Sequence, residues 1–206
     1  MKQIVFATNN KNKLRELREI MDGLYEVLSL DDIGCHEEII EDADTIEGNA
    51  KIKADFVTNK YHVDCFADDT GLEVEALGGA PGVYSARYAG EHCTFDDNID
   101  KLLAALAGHD NRRACFRTVI CLLQERRTTT DAAPTVDTTF FEGRVDGQIL
   151  TERHSHGEGF GYDPVFMPDR FAVSFAEMPL DVKNRISHRG LAVEKLADYL
   201  SHTTQQ

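Results

Sequence analysis

Two adjacent carboxylates, Asp68 and Asp69, directly follow a short apolar run in this 206-residue chain. The run from Val63 to Ala67 predicts the end of a buried strand. Successive strand side chains point to opposite faces, so a regular strand would not turn both carboxylates into one pocket. Gly71 permits a bend here, and the Gly and Pro residues within 78–82 indicate an irregular loop. Carboxylates in this setting suit Mg²⁺, which binds few protein oxygens, although an ordinary Asp-containing turn is an alternative.

A second candidate site lies between the first predicted strand, Ile4–Ala7, and a helix. The helix has an apolar stripe formed by Leu14, Leu17, Ile20 and Met21. Asn9 or Asn10 is suited to cap it. Lys11 and Lys13 fall in its first turn, where the helix dipole disfavours cations. An anion bound by the free N–H groups would account for these lysines, whereas the alternative is that both extend into solvent.

Two further motifs lie in the last third of the chain. Residues 157–164 read Gly-Glu-Gly-Phe-Gly-Tyr-Asp-Pro, and aromatic rings between glycines suit stacking on a flat ring or packing in a turn. A basic cluster, Lys183–Arg189, leads into a final helix and indicates an anionic or carbonyl-bearing ligand, because cations there oppose the helix dipole. His154 and His156 could bind a metal, but no third ligand follows at a useful spacing.

The remaining pattern predicts alternating helices and strands. Thr45 is suited to cap a helix, and Gly108 to end a helix with the stripe Ile99, Leu102, Leu103 and Leu106. The other expected elements are a central strand over Ala114–Leu123, a polar loop over 128–134, a strand over Val136–Val145 that turns at Asp146 and Gly147 into 148–150, and a short strand over Val165–Met167. Without an internal repeat or linker, we expect one domain over residues 1–206.

The charge and cysteine content exclude several classes of protein. Lys and Arg number 22 against 36 Asp and Glu, giving a net charge of −14. Bulk charge would therefore not hold a nucleic-acid backbone, although locally gathered lysines and a metal could hold a small polyanion. Five cysteines without a Cys-x-x-Cys pair argue against a disulfide framework and a zinc site. No membrane-spanning run or signal-peptide pattern is present, which predicts a cytoplasmic location.

Four motifs follow one another in an order that resembles the inosine triphosphate pyrophosphatase family. They lie at 8–13 (Thr-Asn-Asn-x-x-Lys), 67–88, 159–164 and 186–190 (Ile-Ser-His-Arg-Gly), so the resemblance covers nearly the whole chain. It implies an α/β fold with an elongated mixed β-sheet flanked by helices, two lobes with a central cleft, and a homodimer. It also implies Mg²⁺-dependent hydrolysis of ITP, dITP and XTP to the monophosphate and pyrophosphate, which removes non-standard purine nucleotides from the pool.

The resemblance also implies roles for individual residues. Asp69 would be the catalytic base and a metal ligand, with Glu41 and Asp68 completing the metal site, and Thr70 would touch the substrate. The triphosphate would be held by Thr8, Asn9, Asn10, Lys11, Asn12, Lys13 and Lys53. The base pocket would consist of Phe160, Gly161, Tyr162, Asp163, Lys183, His188 and Arg189. The chain has Thr70 where the family usually has Ser, and 42–44 (Asp-Ala-Asp) where a Gly is common, so Glu41 is the least well-matched ligand.

Two other functions share residues with this candidate site. Asp69, Thr70 and Gly71 match the signature of aspartic proteases, but that fold is all-β and this chain has several helical stripes. A catalytically silent purine-nucleotide sensor would use the same pocket without turnover, and it is disfavoured only because the predicted base and metal carboxylates are all present. The sequence therefore predicts an enzyme whose partner is a purine nucleoside triphosphate, without a nucleic acid or a membrane.

Overall fold

The computed structural model describes residues 2–126, 135–154 and 160–203. Its helices are α1 (Lys11–Ile20), α2 (Ile46–Tyr61), α3 (Phe95–Ala105), α4 (Leu180–Ile186) and α5 (His188–Thr203). Its strands are β1 (Lys2–Phe6), β2 (Tyr25–Leu28), β3 (Cys65–Val74), β4 (Pro81–Gly82), β5 (Arg113–Arg126), β6 (Thr135–Ile149) and β7 (Phe166–Pro168). Among these helices, none is long and apolar enough to cross a membrane.

The strands form one mixed sheet of seven strands in the order β2-β1-β3-β5-β6-β7, with β4 paired to β3. β1 pairs in parallel with β2 and with β3, as expected where a helix connects each strand to the next. β4 and β7 add antiparallel pairs to β3 and β6. The expected α/β fold, a mixed sheet flanked by helices, is thereby confirmed.

The chain divides into two compact units. Unit 1 contains Met1–Asp69, Val119–Glu142 and Ala192–Gln206, and unit 2 contains Thr70–Thr118 and Gly143–Leu191. The chain passes from one unit to the other within β3, β5, β6 and α5. Asp69 and Thr70, neighbours in the sequence, therefore belong to different units.

Unit 1 buries apolar side chains on both faces of its strands. Phe6 and Phe66 stack with their ring centroids 4.6 Å apart and pack with Leu17 of α1. On the other face, Cys65 and Ala67 of β3 pack against α2 residues. Because strand side chains alternate, α1 and α2 cover opposite faces of β3, which determines the direction of every side chain that follows Ala67.

Unit 2 has a separate core built around aromatic rings. Phe116 of β5 meets Phe166 edge-on, with centroids 4.7 Å apart, in a cluster that includes Leu72 of β3 and Leu102 of α3. Thr70 lies two residues before Leu72, and Thr118 lies two residues after Phe116. Both threonines therefore point to the same face as this core.

Three expectations about the elements are wrong. β3 does not end at Ala67 or bend at Gly71 but continues to Val74, because burial of Leu72 and Val74 outweighs the weak strand preference of glycine. β6 also runs straight through Asp146 and Gly147. At Gly147 a Cβ would lie 2.4 Å from the Met167 carbonyl oxygen, so this glycine permits close approach to β7 rather than a turn.

The basic cluster, Lys183–Arg189, does not lead into a single helix, which is the third difference from expectation. Lys183 and Arg185 lie in the short helix α4, and α5 begins separately at His188. Ile20 of the first helical stripe is 48% exposed, so α1 buries a narrower face than the pattern suggests. The polar segment 128–134, His156, 157–159 and the side chain of Asn12 lie outside the described residues.

Candidate functional site

Lys13 and Asp68 join two of the sequence motifs within unit 1. The Lys13 Nζ atom lies 2.8 Å from Asp68 Oδ2, and the Asp68 side chain is only 3% exposed. Lys13 is therefore not simply extended into solvent, because it neutralises a buried carboxylate. This pairing offsets the unfavourable position of a cation in the first turn of α1.

The neighbouring carboxylate, Asp69, points the other way. Its Oδ2 atom accepts a hydrogen bond of 3.2 Å from the side-chain amide of Asn49, which is buried in α2. The expected alternation along β3 is thus observed, because Asp68 meets α1 and Asp69 meets α2. Asn49 is held in turn by the backbone N–H of Ala43, which donates to Asn49 Oδ1.

Glu41, the third predicted metal ligand, pairs with another predicted phosphate contact. Lys53 Nζ lies 2.6 Å from Glu41 Oε2, and the two side chains are 13% and 34% exposed, respectively. Lys53 projects from α2, which begins at the predicted cap, Thr45, whose side chain accepts from the Gly48 N–H. Unit 1 therefore places two lysines against two of the three carboxylates.

The side chains of Glu41, Asp68 and Asp69 carry the type of ligand atom that Mg²⁺ prefers, which is oxygen. In the part of the chain that the structure describes, no group of three or more His, Cys, Asp and Glu side chains lies close enough together to hold a metal ion. The carboxylates contact Lys53, Lys13 and Asn49.

The predicted phosphate loop is held by its own side chains. Thr8 Oγ1 accepts from the Asn10 N–H, and Asn10 Oδ1 accepts from the Lys13 N–H, which makes Asn10 the cap of α1. A cavity of about 710 Å³ adjoins the loop. It is lined by Thr8, Asn9, Asn10, Lys11, Leu14, Arg15, Arg18, Glu19, Asp22, Ser29, Leu30 and Asp31. An anion entering this cavity from the loop would meet the exposed side chains of Lys11 and Arg15.

In unit 2, Thr70 and His188 are connected through Thr118. The Oγ1 atoms of Thr70 and Thr118 lie 2.7 Å apart, and Thr118 Oγ1 lies 2.6 Å from His188 Nδ1. The imidazole also stacks on Phe116, with centroids 4.8 Å apart. A hydroxyl has one proton, so Thr118 can donate to only one of these two neighbours. If His188 Nδ1 carries no proton, Thr118 donates to it, and Thr70 must then donate to Thr118.

The Ser-His-Arg-Gly motif forms the start of α5. Ser187 Oγ accepts from the Gly190 N–H and caps the helix. A Cβ on Gly190 would lie 2.0 Å from the Asn184 carbonyl oxygen, so only glycine permits the close approach of α4 and α5. His188 and Arg189 thus occupy the first turn of α5, where helix N–H groups and a guanidinium favour a ligand that accepts hydrogen bonds.

Asp163 organises the second glycine-rich motif. Its buried carboxylate accepts from the Phe160 N–H at 3.0 Å and from Lys183 Nζ. Gly161 adopts a positive φ of 60°, which glycine tolerates. Tyr162 is buried, its hydroxyl donates to the Ser85 carbonyl oxygen, and burial raises the pKa of its phenol. Phe160, which is 51% exposed, is therefore the aromatic side chain of this motif that is open to a ligand.

Sequence reasoning missed Asn49 and Thr118. Each is a polar residue within an apolar pattern: Asn49 precedes Ala50 in the buried stripe of α2, and Thr118 interrupts the apolar run of β5. A buried polar side chain needs a hydrogen-bond partner, so both positions carried a signal. The sequence could not identify their partners, which lie 20 or more residues away.

Known proteins resemble this chain over nearly its full length. Residues 4–199 match the model of the Ham1 family. A Porphyromonas gingivalis protein named dITP/XTP pyrophosphatase is 53% identical over 97% of this chain and 98% of its own. A Chlorobaculum tepidum protein of the same name is 45% identical over 96% of this chain and 94% of its own. The solved structure of the Staphylococcus aureus Ham1 protein has a TM-score of 0.87 and 35% identity, covering 98% of this chain and 100% of its own. The chain therefore belongs to the Ham1 family.

Proposed function

We propose that this protein hydrolyses non-standard purine nucleoside triphosphates (ITP, dITP and XTP) to the monophosphate and pyrophosphate, and that it requires Mg²⁺. The relatives named dITP/XTP pyrophosphatase support this substrate class. The observation that carries the proposal is the buried Lys13–Asp68 pair. It brings the loop suited to phosphate into contact with the strand that holds the candidate base and metal ligands, although the two motifs are far apart in the sequence.

The residues of unit 1 have the chemistry that triphosphate hydrolysis needs. Lys13 and Lys53 would neutralise phosphate oxygens, and the N–H groups and side chains at residues 8–12 would bind the remaining charge. Asp69 would accept the proton of the attacking water as oxygen bonds to the α-phosphorus. The bond from the α-phosphorus to the bridging oxygen then breaks, and pyrophosphate leaves.

Glu41, Asp68 and Asp69 would hold Mg²⁺, which supplies positive charge to the phosphate oxygens when bound. Lys53 and Lys13 form ion pairs with Glu41 and Asp68, and Asn49 donates a hydrogen bond to Asp69. Lys13 and Lys53, which contact Asp68 and Glu41, would also lie close to phosphate oxygens bound beside these carboxylates.

The residues of unit 2 would select the base. Hypoxanthine and xanthine have a carbonyl at position 6, which accepts hydrogen bonds, whereas adenine has an amino group there. Arg189 and the first N–H groups of α5 only donate, so they match the 6-oxo purine. Phe160 would stack on the ring, with Gly161, Tyr162, Asp163, Lys183 and His188 shaping its surroundings. With ATP, each buried donor without an acceptor would cost about 1–3 kcal/mol.

The proposal also covers four further properties: domain organisation, oligomeric state, location and partners. We propose that residues 1–206 act as a single domain in a homodimer, in the cytoplasm, with a nucleotide as the partner and without nucleic acid or membrane binding. The net charge of −14 supports the exclusion of nucleic acid. Light scattering of the purified protein at two concentrations tests the dimer.

The deciding experiment is incubation with ITP and Mg²⁺ followed by separation of the products. We expect IMP and pyrophosphate, rather than IDP and orthophosphate. Activity is expected to disappear on chelation, to return with Mg²⁺, and to be much lower with Ca²⁺, which takes more ligands in a looser geometry. Binding of ITP without turnover would favour the silent sensor, and full activity in excess chelator would contradict the metal requirement.

A further inference from the structure

Two exposed aromatic side chains of unit 2, Phe95 and Phe160, contact each other. Phe95 is 47% and Phe160 is 51% exposed. Their ring centroids lie 4.9 Å apart with an interplanar angle of 62°, an edge-to-face arrangement. Aromatic rings that are in contact yet still half exposed form an apolar surface that a flat ligand would cover.

The backbone of Phe160 is fixed, but its ring is oriented by Phe95. The Phe160 N–H donates to Asp163, and the buried Asp163 carboxylate also contacts Lys183. These contacts position the Cα atom and leave the side-chain torsions undetermined. The ring contact with Phe95 restricts them, because an edge-to-face pair has a preferred geometry.

Phe95 is itself held by the start of α3, of which it is the first residue. Thr94 and Asp97 form a reciprocal capping box: Thr94 Oγ1 accepts from the Asp97 N–H, and the Asp97 carboxylate accepts from the Thr94 N–H. Backbone and side-chain hydrogen bonds from Thr94 lower the pKa of Asp97. Phe95 therefore extends from a helix start that is capped on both sides of the box.

Arg153 adds contacts to this end of α3 from outside the helix. Its guanidinium contacts Asp100 at 2.6 Å and Asp96 at 3.1 Å, and it also donates to the Asp96 carbonyl oxygen. These three contacts from one guanidinium support the helix turn that carries Phe95.

We propose that Phe95 is a positioning residue that orients the Phe160 ring for stacking on the purine base. The inference rests on the proposed function, in which Phe160 contacts the base. A ring that is already oriented loses less side-chain freedom when the base binds, so the contact strengthens binding of the base. Phe95 thus adds the start of α3 to the base-recognition surface, although it lies outside the four sequence motifs.

The test compares Phe95→Ala with wild type. We expect the KM for ITP and the Kd for IMP each to rise about 2- to 10-fold, the weight of one aromatic pair, while kcat stays within about two-fold. The inhibition constant of tripolyphosphate, which has no base, is expected to stay unchanged. Phe140→Ala is the matched control, because Phe140 is a similarly exposed phenylalanine (46%) on β6 of unit 1.

The outcomes separate this inference from the proposed function. If wild type fails to release pyrophosphate from ITP, the proposed function is wrong, and the IMP affinities still test Phe95. If wild type is active and Phe95→Ala retains its KM and Kd, the inference is overturned. It is equally overturned if the ITP and tripolyphosphate constants rise together, since that indicates a general structural role. Phe95→Leu, which keeps apolar contact at the helix start, replaces the alanine variant if the latter has a lowered Tm, and the same constants are measured.

Discussion

Replacing Thr118 with valine tests the hydrogen-bonded chain from Thr70 to His188. Valine has nearly the same shape as threonine, so the packing of β5 is kept and only the hydroxyl is lost. Thr118 is completely buried and His188 is nearly so. The substitution removes both short contacts, 2.7 Å to Thr70 and 2.6 Å to His188 Nδ1. Loss of a partner for a buried polar group costs about 1–3 kcal/mol, so we expect the free energy of unfolding to fall by that amount.

A double-mutant cycle separates the hydrogen bond from other effects of the substitution. Urea unfolding at constant m value is measured for Thr118→Val, for Thr70→Val and for the double variant. We expect a coupling energy of about 1 kcal/mol, so that Thr70→Val costs less when Thr118 is already valine. Thr118→Ser keeps the hydroxyl and should preserve the coupling. A Thr118→Val protein within about 0.5 kcal/mol of wild type, with no coupling, would refute this account.

Three further outcomes are expected. Asp69→Asn should lower turnover about 10²- to 10⁴-fold, the weight of a positioned base; near-normal turnover in a folded variant would remove Asp69 from the mechanism. Arg189→Ala should lower kcat/KM for ITP more than for ATP, whereas equal losses would assign Arg189 to phosphate binding or structure. Iodoacetamide at about pH 8 should label Cys93 first, since the other four cysteines are buried and burial raises the pKa of the Cys115 thiol to about 11 and of the Cys121 thiol to about 12. Rapid addition of more than one label, counted by mass spectrometry, would contradict this.

The elements that periodicity could predict are those in which one face is buried. The predicted strand at Ile4–Ala7, the Thr45 cap and the helical stripe from Ile99 correspond to β1, α2 and α3. In each of these elements, the apolar residues recur with the spacing of the buried face, and burial of that face also stabilises the element. Local patterns therefore identified the helices and strands that surround the site.

Local patterns failed where a distant contact decides the conformation. Gly71 and Gly147 carry turn signals, yet both lie within continuous strands, because unit 2 buries Leu72 and brings β7 against β6. The contact of Lys13 with Asp68 was not predicted either. The sequence pattern indicated solvent or a bound anion around Lys13, whereas in the structure Lys13 contacts Asp68, 55 residues away. Such pairings depend on which strands become neighbours, and periodicity contains no information about that.

Alternation along β3 links the apolar core of unit 1 to its chemistry. On one face of β3, Phe66 packs on Phe6, and Asp68 contacts Lys13. On the other face, Ala67 packs with α2, and Asp69 contacts Asn49. A shift of β3 by one residue would turn Phe66 out of its cluster and would also exchange the partners of the two carboxylates. Burial of Phe66 therefore decides which carboxylate faces the lysine of the phosphate loop. The identity of the candidate base is thus determined by the packing of an aromatic ring three residues before it.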